Sequence, residues 1–169
     1  MSDQDPEGSK RGQLLSKALR AVRAIRKATS RELAKALGLS LRGYQNFEAG
    51  GGQLNVDHVL KFADAINCDP FGIFAGVQIG HPELAAYTAK NKAMIAYMMG
   101  LQEFVEEAGE SIAYLETTTF VTAYREMFMD LAKKARAAQQ QDTDWLANNA
   151  ARLGLPSREN PSDDDAGET

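Results

Sequence analysis

The chain has 169 residues, a net charge of −4, 44% hydrophobic residues and a single cysteine, Cys68. This length and composition fit one globular domain or two small ones, and no apolar run reaches the ~18–20 residues of a membrane span. The single cysteine excludes an internal disulfide and a cysteine-rich zinc site. Because the first residues are polar and acidic, we expect no signal peptide. The single cysteine makes a reducing cytoplasm the simplest compartment.

The charge is distributed unevenly along the chain. Residues 1–8 carry three acidic side chains, residues 9–80 carry 11 basic against 5 acidic ones, and residues 81–169 carry 8 basic against 15 acidic ones. A basic segment followed by an acidic segment indicates two different roles. The basic segment can meet a polyanion, which the acidic segment would repel.

The spacing of apolar residues predicts helices and no strands, so the expected fold class is all-α. Between a disordered tail at 1–9 and a disordered acidic tail at 154–169, two regions are predicted. Residues 10–76 are predicted to contain five helices, at about 13–27, 29–37, 41–49, 55–66 and 70–74. Residues 82–153 are predicted to form two long helices, at about 82–108 and within 111–140, and a short one at about 143–153.

The segment 29–50 carries the signals of two short helices joined by a tight turn. Thr29 and Glu32 have the spacing of a capping box, Gly38 is a typical C-terminal glycine, and Ser40 can cap the next helix. A glycine-containing turn between two short helices is typical of a helix-turn-helix. In this motif the second helix enters the DNA major groove while the first lies across the backbone.

Residues 13–74 resemble the Cro/C1-type helix-turn-helix domain, also called the XRE family. The resemblance rests on L-A-K-A-L-G-L-S at 33–40, on Y-Q-N-F-E-A-G at 44–50 and on the stretch 54–74. It implies a five-helix domain that binds DNA in a sequence-specific regulator of transcription. Residues 82–153 resemble no family that we identify.

The resemblance implies roles for individual residues. Arg23 and Glu48 match a pair that forms a salt bridge between the first and third helices. We expect contacts to bases from Arg42, Gln45, Asn46 and Leu41, the last of which can touch a thymine methyl. We expect contacts to the DNA backbone from Ser30, Ser40, Gly43, Gln53, Lys10 and Arg11, with Lys10 and Arg11 on a flexible arm before the first helix.

Three features depart from the family pattern. Leu41 is apolar where many members carry a polar base-reading residue. Gly43 lies inside the predicted recognition helix, where a glycine costs about 1 kcal/mol, and it can permit close approach to the DNA backbone. The following loop contains Gly50, Gly51 and Gly52, whereas the family often has a single glycine there. Phosphate contacts from this loop must then come from backbone amides or from Gln53.

The acidic region 82–153 is interpreted as a dimerisation or partner-binding region. A Cro/C1-type domain reads about one half-site, so an operator of two half-sites requires a dimer. Pairing of the two long helices within one chain remains an alternative. The expected dimerisation seam recurs at steps of three and four residues and consists of Leu84, Tyr87, Asn91, Met94, Met98, Leu101 and Val105.

The expected function is that of a bacterial or phage-type repressor that binds double-stranded DNA as a homodimer at an inverted-repeat operator. One alternative is an activator whose acidic half contacts RNA polymerase or a partner factor. Another is an antitoxin-like interaction module that autoregulates. We expect no catalysis, no cofactor and no metal site, since no nucleophile has a neighbouring base and the histidines lack nearby ligands.

Overall fold

The computed structural model describes residues 6–51, 54–150 and 152. Throughout these residues the regular elements are helical, so the predicted all-α fold class is confirmed. The helices are α1 (Pro6–Arg26), α2 (Ser30–Leu37), α3 (Leu41–Glu48), α4 (Val56–Ala65), α5 (Pro70–Gln78), α6 (Leu84–Thr88), α7 (Ala93–Ala108), a 3₁₀-helix (Gly109–Tyr114) and α8 (Thr117–Ala150).

The chain divides into two compact units, Met1–Gly109 and Glu110–Thr169. The first unit contains α1 to α7 and therefore extends beyond the predicted DNA-binding range of 10–76. The second unit contains α8.

The first unit is built around one apolar core to which α1 to α6 contribute. Many apolar positions that repeat at helical spacing in the sequence are buried in this core, whereas Ile25, Val56 and Leu60 are exposed. Aromatic side chains of α3 and α4 meet edge to face, with ring centroids 6.4 Å apart for Phe47 and Phe62. The largest fully buried apolar side chains are Tyr44, Phe62, Leu19, Leu33, Ile73, Val22 and Val59.

Helix α6 packs closely on α5 because α5 presents glycines to it. A Cβ atom on Gly72 would overlap Oγ1 of Thr88, and one on Gly76 would stand 2.9 Å from the carbonyl oxygen of His81. Ala85 and Ala89 are fully buried at this contact. The region after residue 82 thus begins as part of the core of the first unit.

The first helix starts earlier than predicted. It begins at Pro6, so residues 6–9 of the predicted tail are helical, and residues 1–5 lie outside the described residues. Proline is favoured at the first position of a helix because its fixed φ suits the helix and its missing N–H needs no partner there. Lys10 and Arg11 consequently lie on α1, and the prediction of a flexible arm for them is wrong.

The predicted continuous helix at 82–108 is also wrong, because the chain forms α6 and α7 with a break between them. Lys92 adopts a left-handed backbone with φ of 56°, and the side chain of Asn91 accepts a hydrogen bond from the amide of Ala93 at 3.1 Å. Asn91 therefore takes part in the break. The predicted seam from Leu84 to Val105 does not lie on one helix.

In the C-terminal region the chain forms one helix where the sequence predicted two. The helices expected within 111–140 and at 143–153 are one continuous helix, α8, which begins at Thr117. No glycine or proline interrupts this stretch, and the Thr143 hydroxyl donates to the carbonyl oxygen of Gln139 across the expected gap. The predicted tail at 154–169 lies outside the described residues.

Asp69 joins the start of α7 to the rest of the first unit. Its side chain is fully buried, and its Oδ1 accepts hydrogen bonds from the amides of Phe71 and Gly72 at the start of α5. Its Oδ2 accepts hydrogen bonds from the amides of Met94 and Ile95 at 2.8 and 3.1 Å. One carboxylate thus caps two helices, and four amide donors surround its charge.

Basic side chains hold the same corner of the unit. Lys92 Nζ donates to the carbonyl oxygen of Asn67 at 2.6 Å and to its side-chain oxygen at 2.9 Å. Arg26 Nη2 donates to the carbonyl oxygens of Asn67 and Ala89 at 2.7 and 3.0 Å. These bonds connect the end of α1, the α4–α5 turn and the α6–α7 break.

Candidate nucleic-acid interface

The turn between α2 and α3 is built by local hydrogen bonds. The Thr29 amide donates to Oε2 of Glu32 at 2.8 Å, and the Glu32 amide donates to Oγ1 of Thr29 at 3.3 Å, which confirms the predicted capping box. Gly38 ends α2 with φ of 70°, in the left-handed region that favours glycine. Ser40 then caps α3 by accepting a hydrogen bond from the amide of Gly43 at 3.0 Å.

The short third helix has two chemically different faces. Tyr44, Phe47 and Glu48 are buried on one face. The side chains that the sequence predicts to contact bases lie on the exposed remainder, where Leu41 is 39% exposed. These side chains are Leu41, Arg42, Gln45 and Asn46.

A buried polar network anchors α3 to α1. Arg23 Nε donates to Oε1 of Glu48 at 2.5 Å, which is the ion pair expected from the resemblance. The hydroxyl of Tyr44 donates to the same oxygen at 2.9 Å. Burial, together with the bond to Glu48, raises the pKa of Tyr44 well above its ordinary value, so the phenol stays a donor at neutral pH.

The hydrogen bonds of the capping box also affect the charge at the start of α2. The Thr29 hydroxyl and amide, which both donate to Glu32, hold the pKa of that carboxyl below its ordinary value. Glu32 is therefore ionised at neutral pH and occupied by its cap. Because these bonds hold the Glu32 carboxylate, Ser30 and Arg31 are the side chains in the first turn of α2 that can face a phosphate.

The loop after α3 is held by glycine contacts that the sequence analysis did not detect. A Cβ on Gly12 would stand 2.5 Å from the carbonyl oxygen of Gly50, so the backbones of α1 and this loop touch directly. Gly50 also has φ of 76°. A Cβ on Gly51 would overlap the side-chain amide of Asn46, and the Gly51 amide donates a hydrogen bond to the backbone carbonyl oxygen of Asn46 at 2.9 Å. Glycines separated by 38 positions give no local signal that could have revealed the first contact.

The residues predicted to contact the DNA backbone lie on several elements. Ser30 is half-buried at the start of α2, Ser40 is exposed before α3, and Lys10 and Arg11 are exposed on α1. The Gly43 amide is engaged by Ser40, so Gly43 can allow close approach but its N–H is already used. Gln53 lies outside the described residues.

Arg31 is a candidate that the sequence analysis missed. It is exposed on the first turn of α2, next to Ser30. A basic side chain at the start of this helix is placed where the motif crosses the DNA backbone. Its position in the sequence, directly after the expected phosphate-binding serine, was the available signal.

Residues 19–73 match a family model described as helix-turn-helix. This segment is a Cro/C1-type helix-turn-helix domain. Such a domain supports a DNA-binding regulator of transcription. The family match covers the helix-turn-helix domain alone and stops before α6.

No significant match to a curated protein or to a solved structure was found for the chain. Within the described ranges, no group of three or more potential metal ligands comes together, and no helix is long and apolar enough to cross a membrane. Cys68 is buried within the apolar core of the first unit, and burial raises its pKa to about 11. Its thiol therefore remains protonated at neutral pH.

Proposed function

We propose that this chain is a sequence-specific repressor that binds an inverted-repeat operator as a homodimer in the cytoplasm. The observation that carries the proposal is the division of α3 into an anchored face and an exposed face. Tyr44 and Glu48 fasten the helix to Arg23 on α1, so the exposed side chains are presented on a rigid support. Rigid presentation lowers the entropy cost of binding.

The exposed side chains have the chemistry required for base recognition. The planar fork of Arg42 suits the two acceptors of guanine, and the amides of Gln45 and Asn46 suit the donor and acceptor of adenine. Leu41 supplies an apolar surface for a thymine methyl. The predicted backbone contacts, from Ser30, Ser40, Gln53, Lys10 and Arg11, would set the register of the helix in the groove.

A second candidate function is activation of transcription. It is favoured by the exposed acidic side chains Glu103, Glu106 and Glu107 near the end of α7, which can face RNA polymerase or another protein. Immunoprecipitation of the tagged protein, combined with transcript levels in a deletion strain, separates the two candidates. Genes next to palindromic binding sites rise in the deletion strain if the protein represses and fall if it activates.

Arg42→Ala tests the base-reading role directly. We expect a loss of about 1–3 kcal/mol in binding to the operator found by immunoprecipitation, with a much smaller loss on unrelated DNA. The control is Arg136→Ala, which removes an equal charge from an exposed position on α8. Arg42→Lys keeps the charge but lacks the fork, so it should lose specificity as well. Unchanged operator affinity of Arg42→Ala would exclude this residue from base recognition.

A further inference from the structure

The end of α3 and the loop after it form a Schellman motif. The Gly50 amide donates to the carbonyl oxygen of Phe47 at 3.0 Å. The Gly51 amide donates to the carbonyl oxygen of Asn46 at 2.9 Å. Gly50 has the left-handed backbone of this motif, with φ of 76°. The residue after the left-handed one lies against the residue five positions before it, so Gly51 lies against Asn46.

The side chain of Asn46 occupies the space that a side chain at residue 51 would fill. A Cβ on Gly51 would overlap Oδ1 of Asn46 and would stand 2.7 Å from its Cγ and 2.9 Å from its Nδ2. The three atoms nearest to that Cβ therefore all belong to one side chain. Because atoms cannot approach so closely, any larger residue at position 51 must displace the Asn46 amide.

This contact differs from the one between Gly12 and Gly50. A Cβ on Gly12 would meet backbone atoms, which cannot move without shifting α1 or the loop. A Cβ on Gly51 would meet the end of the exposed Asn46 side chain, which can rotate away. The φ of Gly51 lies outside the left-handed region, so it does not exclude alanine. A side chain at 51 therefore costs little stability but moves Asn46.

We propose that Gly51 is a specificity-determining residue, because it leaves the Asn46 amide in the place from which that amide reads a base. The inference rests on the proposed function, in which Asn46 recognises adenine through its side-chain oxygen and nitrogen. These two hydrogen bonds require both atoms of the amide to face the edge of the base. A side chain at residue 51 would turn the amide away and weaken this recognition without contacting the base itself.

Base preferences of the full-length protein test the proposal. Binding is measured to the operator found by immunoprecipitation and to copies of it that each carry one changed base pair. Asn46→Ala should lower the preference at one base pair about five- to a hundred-fold, which corresponds to the loss of one bidentate contact. Gly51→Ala should lower the preference at the same base pair at least about three-fold and leave the preferences at the other base pairs unchanged.

The double variant distinguishes positioning of Asn46 from a direct contact between the loop and DNA. If Gly51 acts through Asn46, Gly51→Ala should change the preference less than about two-fold once residue 46 is alanine. A loop that contacts a phosphate would instead give an equal loss on every sequence in both backgrounds, which would overturn the proposal. Gly100→Ala is the matched control, since its Cβ would meet nothing within 4 Å, and it should leave all preferences unchanged.

Nuclear magnetic resonance of the DNA-free protein tests the contact itself. We expect a nuclear Overhauser effect between an Hα proton of Gly51 and the side-chain amide protons of Asn46, because a Cβ in that direction would stand 2.9 Å from Nδ2. In Gly51→Ala the side-chain amide resonances of Asn46 should shift, while the melting temperature should stay within about 2 °C of the wild-type value. Unshifted Asn46 resonances would overturn the proposal, because residue 51 would then not determine the place of the amide.

The results separate this inference from the proposed function. An operator whose base preferences respond to Arg42→Ala but not to Gly51→Ala supports the repressor and overturns the role of Gly51. A chain that shows no operator in the immunoprecipitation experiment overturns the repressor, even if Gly51→Ala shifts the Asn46 resonances.

Discussion

The first unit and α8 contain the same kinds of apolar residues at the same helical spacing, yet these residues are buried in the first unit and partly exposed on α8. Phe62 and Tyr44 are fully buried in the first unit, whereas Phe128 and Tyr124 of α8 are 52% and 37% exposed. In the first unit the covering surfaces come from other helices of the same chain. The comparison shows that periodicity predicts which face of a helix requires covering but does not identify the covering partner.

The largest expected difference concerns core aromatics. Phe62→Ala should lower the free energy of unfolding of the first unit by about 3–5 kcal/mol at every protein concentration, because its core lies within one chain. Leu131→Ala on α8 should lower the free energy of unfolding by about 1 kcal/mol or less, because that side chain is already 51% exposed in the folded chain. Chemical denaturation over a hundred-fold range of concentration measures both. Equal losses in the free energy of unfolding of the two variants in dilute solution would contradict a difference between the two regions.

Helix α7 lies between these extremes, since it has no buried residue and is held at its start by Asp69. Asp69→Asn should lower the free energy of unfolding by about 2–3 kcal/mol, because an amide group replaces one of the two acceptor oxygens with a donor. Amide hydrogen exchange at Met94 and Ile95 should also be faster in Asp69→Asn than in the wild-type protein. Asp64→Asn, at an exposed site on α4, is the control and should change stability by less than about 0.5 kcal/mol. Unaltered exchange at Met94 in Asp69→Asn would show that the carboxylate does not hold α7.

The smallest expected effects come from two helical glycines. Gly12→Ala should destabilise the first unit by about 1–3 kcal/mol, because its Cβ would press on the carbonyl oxygen of Gly50. Gly100→Ala on α7 meets nothing within 4 Å and should stabilise the protein by about 0.5–1 kcal/mol through helix propensity. Thermal unfolding of both variants measures the difference. A stabilising Gly12→Ala would show that α1 and the loop after α3 can separate at no cost.

The parts of the fold that could be predicted from the sequence are those with local causes. The bonds of Thr29 to Glu32, the left-handed Gly38 and the cap at Ser40 all depend on residues within a few positions of one another. The heptad spacing between 84 and 105 was misleading, because it reflects only the local sequence and the break between α6 and α7 has a distant cause. The break at Lys92 depends on Asp69, which lies more than twenty positions earlier and acts only after the chain has folded.

In the candidate site, too, some features could be predicted from the sequence and others could not. The exposed face of α3 follows from burial of Tyr44 and Phe47, which the apolar spacing predicted, and the Arg23–Glu48 pair followed from the family resemblance. The contact of Gly12 with Gly50 could not be predicted, because a glycine in a helix looks unfavourable until its neighbour in space is known. The assignments of Arg42, Gln45, Asn46 and Leu41 to bases stay predictions.

The double cap at Asp69 has a practical consequence for the choice of a DNA-binding fragment. A fragment cut at residue 76 ends inside α5, uncovers the surface on which Ala85 and Ala89 pack, and removes the Met94 and Ile95 amides. The buried carboxylate of Asp69 then keeps only two of its four amide donors in this fragment. A fragment that ends at Gly109 retains these donors together with α6, and its boundary coincides with that of the first compact unit.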